Sequence, residues 1–337
     1  MKKTLLALAV MTAAGSANAA INVYDNNGVK VDLSGAAEVQ YYKDYNPSDD
    51  AKIRLDDGDL AVNTTIAINE NLNVISGMAF KYEKTDVKND ELWVGFSSNQ
   101  FGALTFGRQL LVSDDSGIGK DYELGSEGID FVQTEGNEAI KYVYDNGMFY
   151  FGASGVLTES GKIANDKNNG GLDFNYDTSI VDGRVGFRTN GLDARVYLYK
   201  GEHVATNLFD KLVDVKGYNV EAEYQLGQIG LAASFGQLDY TNPRNRAQEI
   251  NADVYQIAAD YTIDKTTFAI GYNYFEQTKN TLESKGDAYA VYANVTQKLH
   301  DNVKVYAEVG HTDAKFDVNG KAKDADFGYV AGMEVTF

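Results

Sequence analysis

From Val31 to Tyr41 the chain alternates apolar and polar residues one for one. Val31, Leu33, Gly35, Ala37, Val39 and Tyr41 fall on one side, and Asp32, Ser34, Ala36, Glu38 and Gln40 on the other. Successive side chains of a strand point to opposite faces, so this pattern predicts a strand with one apolar and one polar face. Leu60, Val62, Thr64, Ile66 and Ile68 repeat it against Asp59, Ala61, Asn63, Thr65 and Ala67. The same period of two recurs over 257–263, 268–274, 288–295, 303–309 and 329–337. Turn chemistry separates the runs: Asn69-Glu70-Asn71, Asn99-Gln100-Phe101-Gly102, Asp145-Asn146-Gly147, Gly227-Gln228 and His300-Asp301-Asn302. Longer polar connections, over 158–170, 201–217, 241–252, 277–286 and 314–325, alternate with these short turns. The strands number about sixteen by this reading. Within 171–200 the turn falls either at Asn190-Gly191, a two-residue hairpin signal, or near Val181-Asp182-Gly183.

The first 19 residues read differently. Lys2 and Lys3 give a positive start, Leu5 to Met11 an apolar stretch, and Ala17-Asn18-Ala19 a small-x-small cleavage site. That order is the pattern of a secretory signal peptide, which is removed. The remainder, 20–337, contains no linker and is expected to be one domain. No apolar run in it approaches the ~20 residues a spanning helix requires.

Composition then excludes several functions. Cysteine is absent and histidine occurs three times. Thiol catalysis, disulfides and zinc–thiolate sites are therefore ruled out, and little remains for a histidine metal centre or a catalytic triad. His203, His300 and His311 stand in no recognisable motif. No enzyme activity, metal or cofactor is expected. The net charge of −19 argues against nucleic acid as a partner, because nothing would release counterions from phosphate.

The apolar face could meet a second sheet, as in a soluble sandwich, or lipid, as in an outer-membrane barrel with polar residues lining the lumen. Export by a signal peptide, the alternation of short and long connections, and the terminal aromatic Phe337 favour the barrel. Tyr41, Tyr42, Tyr82, Tyr240, Tyr272 and Tyr274, near strand ends, fit its interfacial aromatic girdles.

Three segments resemble a known family. The mature start, Ile21 to Gly35 (INVYDNNGVKVDLSG), resembles the opening of the Gram-negative general porins. Phe101-Gly102-Ala103-Leu104-Thr105-Phe106-Gly107-Arg108-Gln109 is similar to their FGxLTxGRQ phrase. The ending Gly328 to Phe337 is similar to the assembly signal of outer-membrane barrels, with Tyr329, Met333, Val335 and Phe337 as its apolar positions. The closest flavour is that of trimeric porins from marine and enteric bacteria. The resemblance implies an all-β, sixteen-stranded antiparallel transmembrane barrel with an inward-folded third external loop. It also implies a homotrimer in the outer membrane, in contact with lipopolysaccharide and membrane lipid, delivered by the barrel-assembly machinery.

In that family the inward loop carries acids that face a basic wall. Here Leu110 to Gly136 holds Asp114, Asp115, Asp121, Glu123, Glu127, Asp130 and Glu135 against the single base Lys120. Tyr122-Glu123-Leu124-Gly125-Ser126-Glu127 resembles the family's PEFGGD motif without its proline. Asp121, Glu123, Glu127 and Asp130 are thus the candidate constriction acids. Arg108, Lys141 and Arg54 are the candidate bases. Strict alternation puts Arg108 on the side of Leu104 and Phe106, so it reaches the lumen only through an irregularity at Gly107. Ala36 and Asp59 stand where some porins carry lysine and arginine, and the wall reads as poor in bases. A surplus of acids in a narrow water column favours cations, each charge contributing roughly 0.7–3 kcal/mol at about 6 Å. The expected function is a weakly cation-selective general diffusion pore. The alternatives are a substrate-specific channel, marked by aromatic residues along the lumen, and a surface adhesin presented by the long loops.

Overall fold

A computed structural model of the chain describes residues 20–83, 86–126, 128–167, 170–206, 208, 211–279, 284–314 and 327–337. Residues 1–19, where a signal peptide is expected, and most of the 314–325 connection lie outside the described residues. Seventeen strands form one antiparallel sheet. They are β1 (Ile21–Asn26), β2 (Val29–Lys43), β3 (Lys52–Asn69), β4 (Leu72–Lys81), β5 (Lys88–Ser98), β6 (Gly102–Leu110), β7 (Glu135–Asp145) and β8 (Phe149–Asp166). The series continues with β9 (Leu172–Thr189), β10 (Leu192–Ala205), β11 (Leu212–Leu226), β12 (Ile229–Thr241) and β13 (Glu249–Ile263). It ends with β14 (Thr266–Lys279), β15 (Ser284–His300), β16 (Val303–Ala314) and β17 (Phe327–Thr336).

Seventeen strands occupy sixteen positions around the ring. Strand β3 covers one edge of β2 along its length. The other edge is shared end to end: β1 pairs with its first part, Ile21 opposite Leu33, and β17 with its last, Thr336 opposite Ala36. Phe337 completes the join, exchanging both backbone hydrogen bonds with Gly35 at 2.8 and 3.0 Å. The sheet is thereby a closed antiparallel barrel, which leaves no edge amide without a partner in hydrocarbon.

The two faces are inverted relative to a soluble protein. Val39, Ile53, Leu92, Val94, Leu198, Ile257 and Ile270 are exposed on the outside, while Glu38, Gln40, Asn219, Glu221, Gln256, Asn273, Glu308 and Glu334 are buried within. A soluble sandwich would have the opposite arrangement. The hairpin signal at Asn190-Gly191 is the one used. Both residues take positive φ, 45° and 85°, and Leu192 faces Thr189 across the turn.

Two expectations are corrected. Much of what reads as polar loop is strand, since β8 runs to Asp166 and β13 begins at Glu249. At 15–18 residues, β2, β3, β8, β9, β11, β13 and β15 exceed the ~9–11 that cross a bilayer and project beyond it. Among the girdle tyrosines, Tyr41, Tyr82 and Tyr272 are exposed outside, but Tyr42 and Tyr240 turn inward. Tyr42 lies 3.8 Å beneath the Arg54 guanidinium, and Tyr240 packs on an interior apolar cluster.

The outward phase is testable at mid-strand. Ile257→Arg on β13, at a side chain 58% exposed, should lower the free energy of folding into liposomes by about 2–4 kcal/mol. Denaturant titration of the reconstituted barrel measures this, and a cost below about 1 kcal/mol would contradict the lipid-facing assignment.

Candidate functional site

The longest connection, between β6 and β7, begins with the single 3-10 turn Val112–Asp115 and runs inside the barrel. Its apolar residues give the reason. Leu111, Val112, Ile118, Leu124 and Phe131 are each at most 2% exposed. Leu111, Val112 and Phe131 join Val156, Ile180, Tyr199, Val215 and Leu238 of the inner wall in one cluster. Ile118 packs on Ala232 and Ala258, and Leu124 on Tyr45 and Tyr292. Burying five such side chains supplies on the order of 10 kcal/mol. Room for the tip comes from glycine: a Cβ on Gly310 or Gly328 would meet a Leu124 side-chain carbon at 2.7 Å.

Polar anchoring follows the same path around the wall. Three wall carboxylates accept backbone amides of the segment. Asp182 takes Ser113 N–H at 2.7 Å, and Glu221 takes Gly117 N–H at 2.7 Å. Glu308 takes Tyr122, Glu123 and Leu124 N–H at 2.8, 2.9 and 2.7 Å. Asn294 donates to Lys120 O at 2.7 Å and Asn273 to Gly125 O at 2.6 Å. Tyr45, from the connection after β2, donates to Leu124 O. On the return, Gln256 accepts from Ile129 N–H at 3.2 Å, and Tyr199 donates to Gln133 O at 2.8 Å. The segment therefore lies along β8 to β16 and touches β2 and β3 only at its tip.

At that tip Glu123 meets Arg54 at 2.5 Å. Arg54 also contacts Asp56 at 2.9 Å and donates from Nε to Gln40 at 2.8 Å. This joins one predicted acid to one predicted base. The other candidates are placed differently. Asp121 turns back on its own loop and accepts Gly125 N–H at 3.1 Å. Asp130 is exposed and makes no hydrogen bond or ion pair among the described residues. Glu127 lies outside the described residues. Lys141 faces inward opposite Thr105 and Ser154, where its ammonium donates to Leu110 O at 3.0 Å, at the root of the segment.

Arg108 is a correction. Gly107 has φ +126° and the β6–β7 register slips beside it, so the expected irregularity exists. It does not bring Arg108 inward. Arg108 remains directly opposite the outward-facing Leu92 and donates from Nε to Asn137 at 2.7 Å.

The wall is also richer in bases than it reads. Arg184 pairs with Asp115 at 2.5 Å, and Arg195 with Glu221 and Glu223 at 2.5 and 2.7 Å. Lys304 pairs with Glu334. Each is neutralised where it stands. The inward phase of β9 to β11 carries these groups in alternation, Asp182-Arg184, Arg195-Tyr197-Tyr199 and Asn219-Glu221-Glu223, and that alternation was the signal available. Several tyrosines also face the lumen, and the hydroxyls of Tyr197, Tyr199 and Tyr292 are engaged. Tyr197 donates to Asp115 O at 3.0 Å, and Tyr292 accepts Lys120 N–H at 2.7 Å. These tyrosines hold the segment.

A closed barrel with a polar interior crossed by a packed internal segment defines an outer-membrane channel protein. The Gram-negative porin profile matches residues 4–317. The chain is 51% identical to porin-like protein H of Photobacterium profundum, over the whole of both chains. Among solved structures it is similar to OmpT of Vibrio cholerae in its trimer form (19% identity, TM-score 0.70, covering 92% of this chain and all of that one). It is likewise similar to an anion-selective porin from Comamonas acidovorans (16% identity, TM-score 0.72, 92% and 100% covered). The chain belongs to the Gram-negative porin family and resides in the outer membrane.

Removing the acceptor that holds three amides should free the tip. Glu308→Ala, at a side chain 1% exposed, is expected to open the 111–134 segment to limited proteolysis in the folded barrel. Each lost charge-assisted bond is worth about 1.5–3 kcal/mol, and unchanged protease resistance would count against the anchoring.

Proposed function

We propose that the protein is a general diffusion pore for small hydrophilic solutes and ions, weakly cation-selective, with the 111–134 segment as its constriction. The observation that carries the selectivity is the composition of the wall facing that segment. Because the segment follows β8 to β16, the open passage is bounded by β3 to β6. Asp59 is directly across from inward-facing Ala36 and also across from Lys81. Carboxylate oxygens of Asp57, Asp59 and Glu83 come within 4.8 Å of one another. Lys81 pairs with Asp90 at 3.1 Å, and Arg54 is shared by Glu123 and Asp56. Asp56, Asp59, Asp90 and Glu123, with Asp57 and Glu83 beside them, thus outnumber Arg54, Lys81 and the lysines in the same phase, Lys52 opposite Tyr42 and Lys88 opposite Lys81.

Two uncompensated carboxylates at the narrowest section suffice for several-fold preference at an effective dielectric near 20 or above, reduced as salt screens them. An anion-selective relative of the same architecture supports placing selectivity in side chains rather than in the fold. The trimer form of another supports a homotrimer here. The outward apolar positions Tyr329, Met333 and Val335 beside the terminal Phe337 support recognition by the barrel-assembly machinery.

Planar-bilayer reversal potentials under a KCl gradient are expected to show several-fold cation preference, and anion preference would overturn the charge argument. Burial pushes the Asp121 carboxyl up from its ordinary range, so this acid gains its proton, and loses its charge, at a higher pH than a free aspartate. Asp121 lies close enough to Glu123 for their charges to repel, so acidification should lessen the negative charge at the tip and weaken cation preference starting above the usual carboxylate range. The same measurement repeated down a pH series reads this directly.

A further inference from the structure

A cavity of about 770 Å³ opens at the long-loop end, between the returning limb of the internal segment and the inner faces of β8, β9, β10, β12 and β14. Its size is in the range that holds a whole small molecule rather than a lone ion. Val132, Ile163, Tyr240 and Phe275 give it an apolar wall, Asp130 lies on the side of the limb, and Lys211 lines it from just before β11. Tyr240, Phe275 and Val132 are fixed by packing on the interior cluster, so this wall is preformed. Lys162 also lines the cavity, but Asp173 neutralises it at 2.6 Å. Asp130 and the Lys211 ammonium have no hydrogen bond or ion pair among the described residues. Among the described residues one acid and one base of the lining are thus open to a ligand, beside an apolar surface.

We infer that this cavity is a docking site for short zwitterionic peptides with an apolar side chain. The peptide ammonium meets Asp130, its carboxylate meets Lys211, and its side chain rests on Tyr240 and Phe275. The inference rests on the channel reading and adds a saturable step to it, upstream of the constriction. A ligand lacking either charge leaves Asp130 or Lys211 without a partner, and one lacking the apolar group leaves the wall wet.

The test is ion-current interruption of the reconstituted full-length porin by the dipeptide Ala-Phe added on the long-loop side. Saturable interruptions are expected. Half-maximal block should need at least tenfold more of N-acetyl-Ala-Phe, of Ala-Phe-amide and of Ala-Ala. The variants Asp130→Asn and Lys211→Gln should each raise the half-blocking concentration of Ala-Phe at least tenfold, with Lys211→Gln no longer distinguishing Ala-Phe from its amide. Interruptions that grow linearly without saturation would overturn the proposal, as would block by the acetylated and amidated peptides at the same concentration as Ala-Phe. Open-channel KCl current without peptide is recorded first. Its absence would refute the pore itself, whereas a conducting pore that Ala-Phe does not block refutes only the docking site.

Discussion

Hydrocarbon offers a backbone no hydrogen-bonding partner, and everything else in this protein follows from meeting that constraint. The sheet must return on itself, and it does so where β1 and β17 divide one edge of β2 and Phe337 bonds Gly35. Once the ring is closed, each strand has a lipid side and a lumen side. The apolar phase goes outward because lipid tolerates it, and the polar phase is gathered into a confined interior. There the polar groups must satisfy water, one another or a guest segment.

The 111–134 segment is that guest. Its backbone amides would lose their partners on leaving bulk water, and carboxylates on the inner wall replace them. Glu308 alone accepts three. A buried carboxylate needs donors as much as buried amides need acceptors, so wall and segment complete each other. The apolar residues spaced along the segment then seat against aliphatic and aromatic residues of the inner wall, with Gly310 and Gly328 leaving space for Leu124.

The same arrangement decides where charge remains effective. Arg184, Arg195 and Lys304 each have a carboxylate within contact distance, and such a pair acts as a dipole whose field fades quickly across an aqueous lumen. In the proposed pore, groups on β3 to β5, where acids outnumber bases, set the sign of the passage. The total charge of −19 does not settle this by itself. What matters is which carboxylates have no cation beside them at the narrow section.

Arg54 and Glu123 were legible as opposed charges in the sequence because one strand and one loop motif place them without a register slip between. Arg108 was not: Gly107 advertises an irregularity, but only the pairing with Leu92 shows that the slip leaves the guanidinium outside. Tyr42 and Tyr240 look like interfacial tyrosines by position, and a one-residue change of phase puts them within. By itself the sequence determined the strand count, the hairpin order, the two-faced pattern and the presence of an acidic segment after β6, since these depend on neighbours along the chain. Only the tertiary structure decided which acids hold amides, which hold arginines and which face open water. Carboxylates identical in sequence differ by partners that sit 69 to 186 residues away and arrive only when the ring closes.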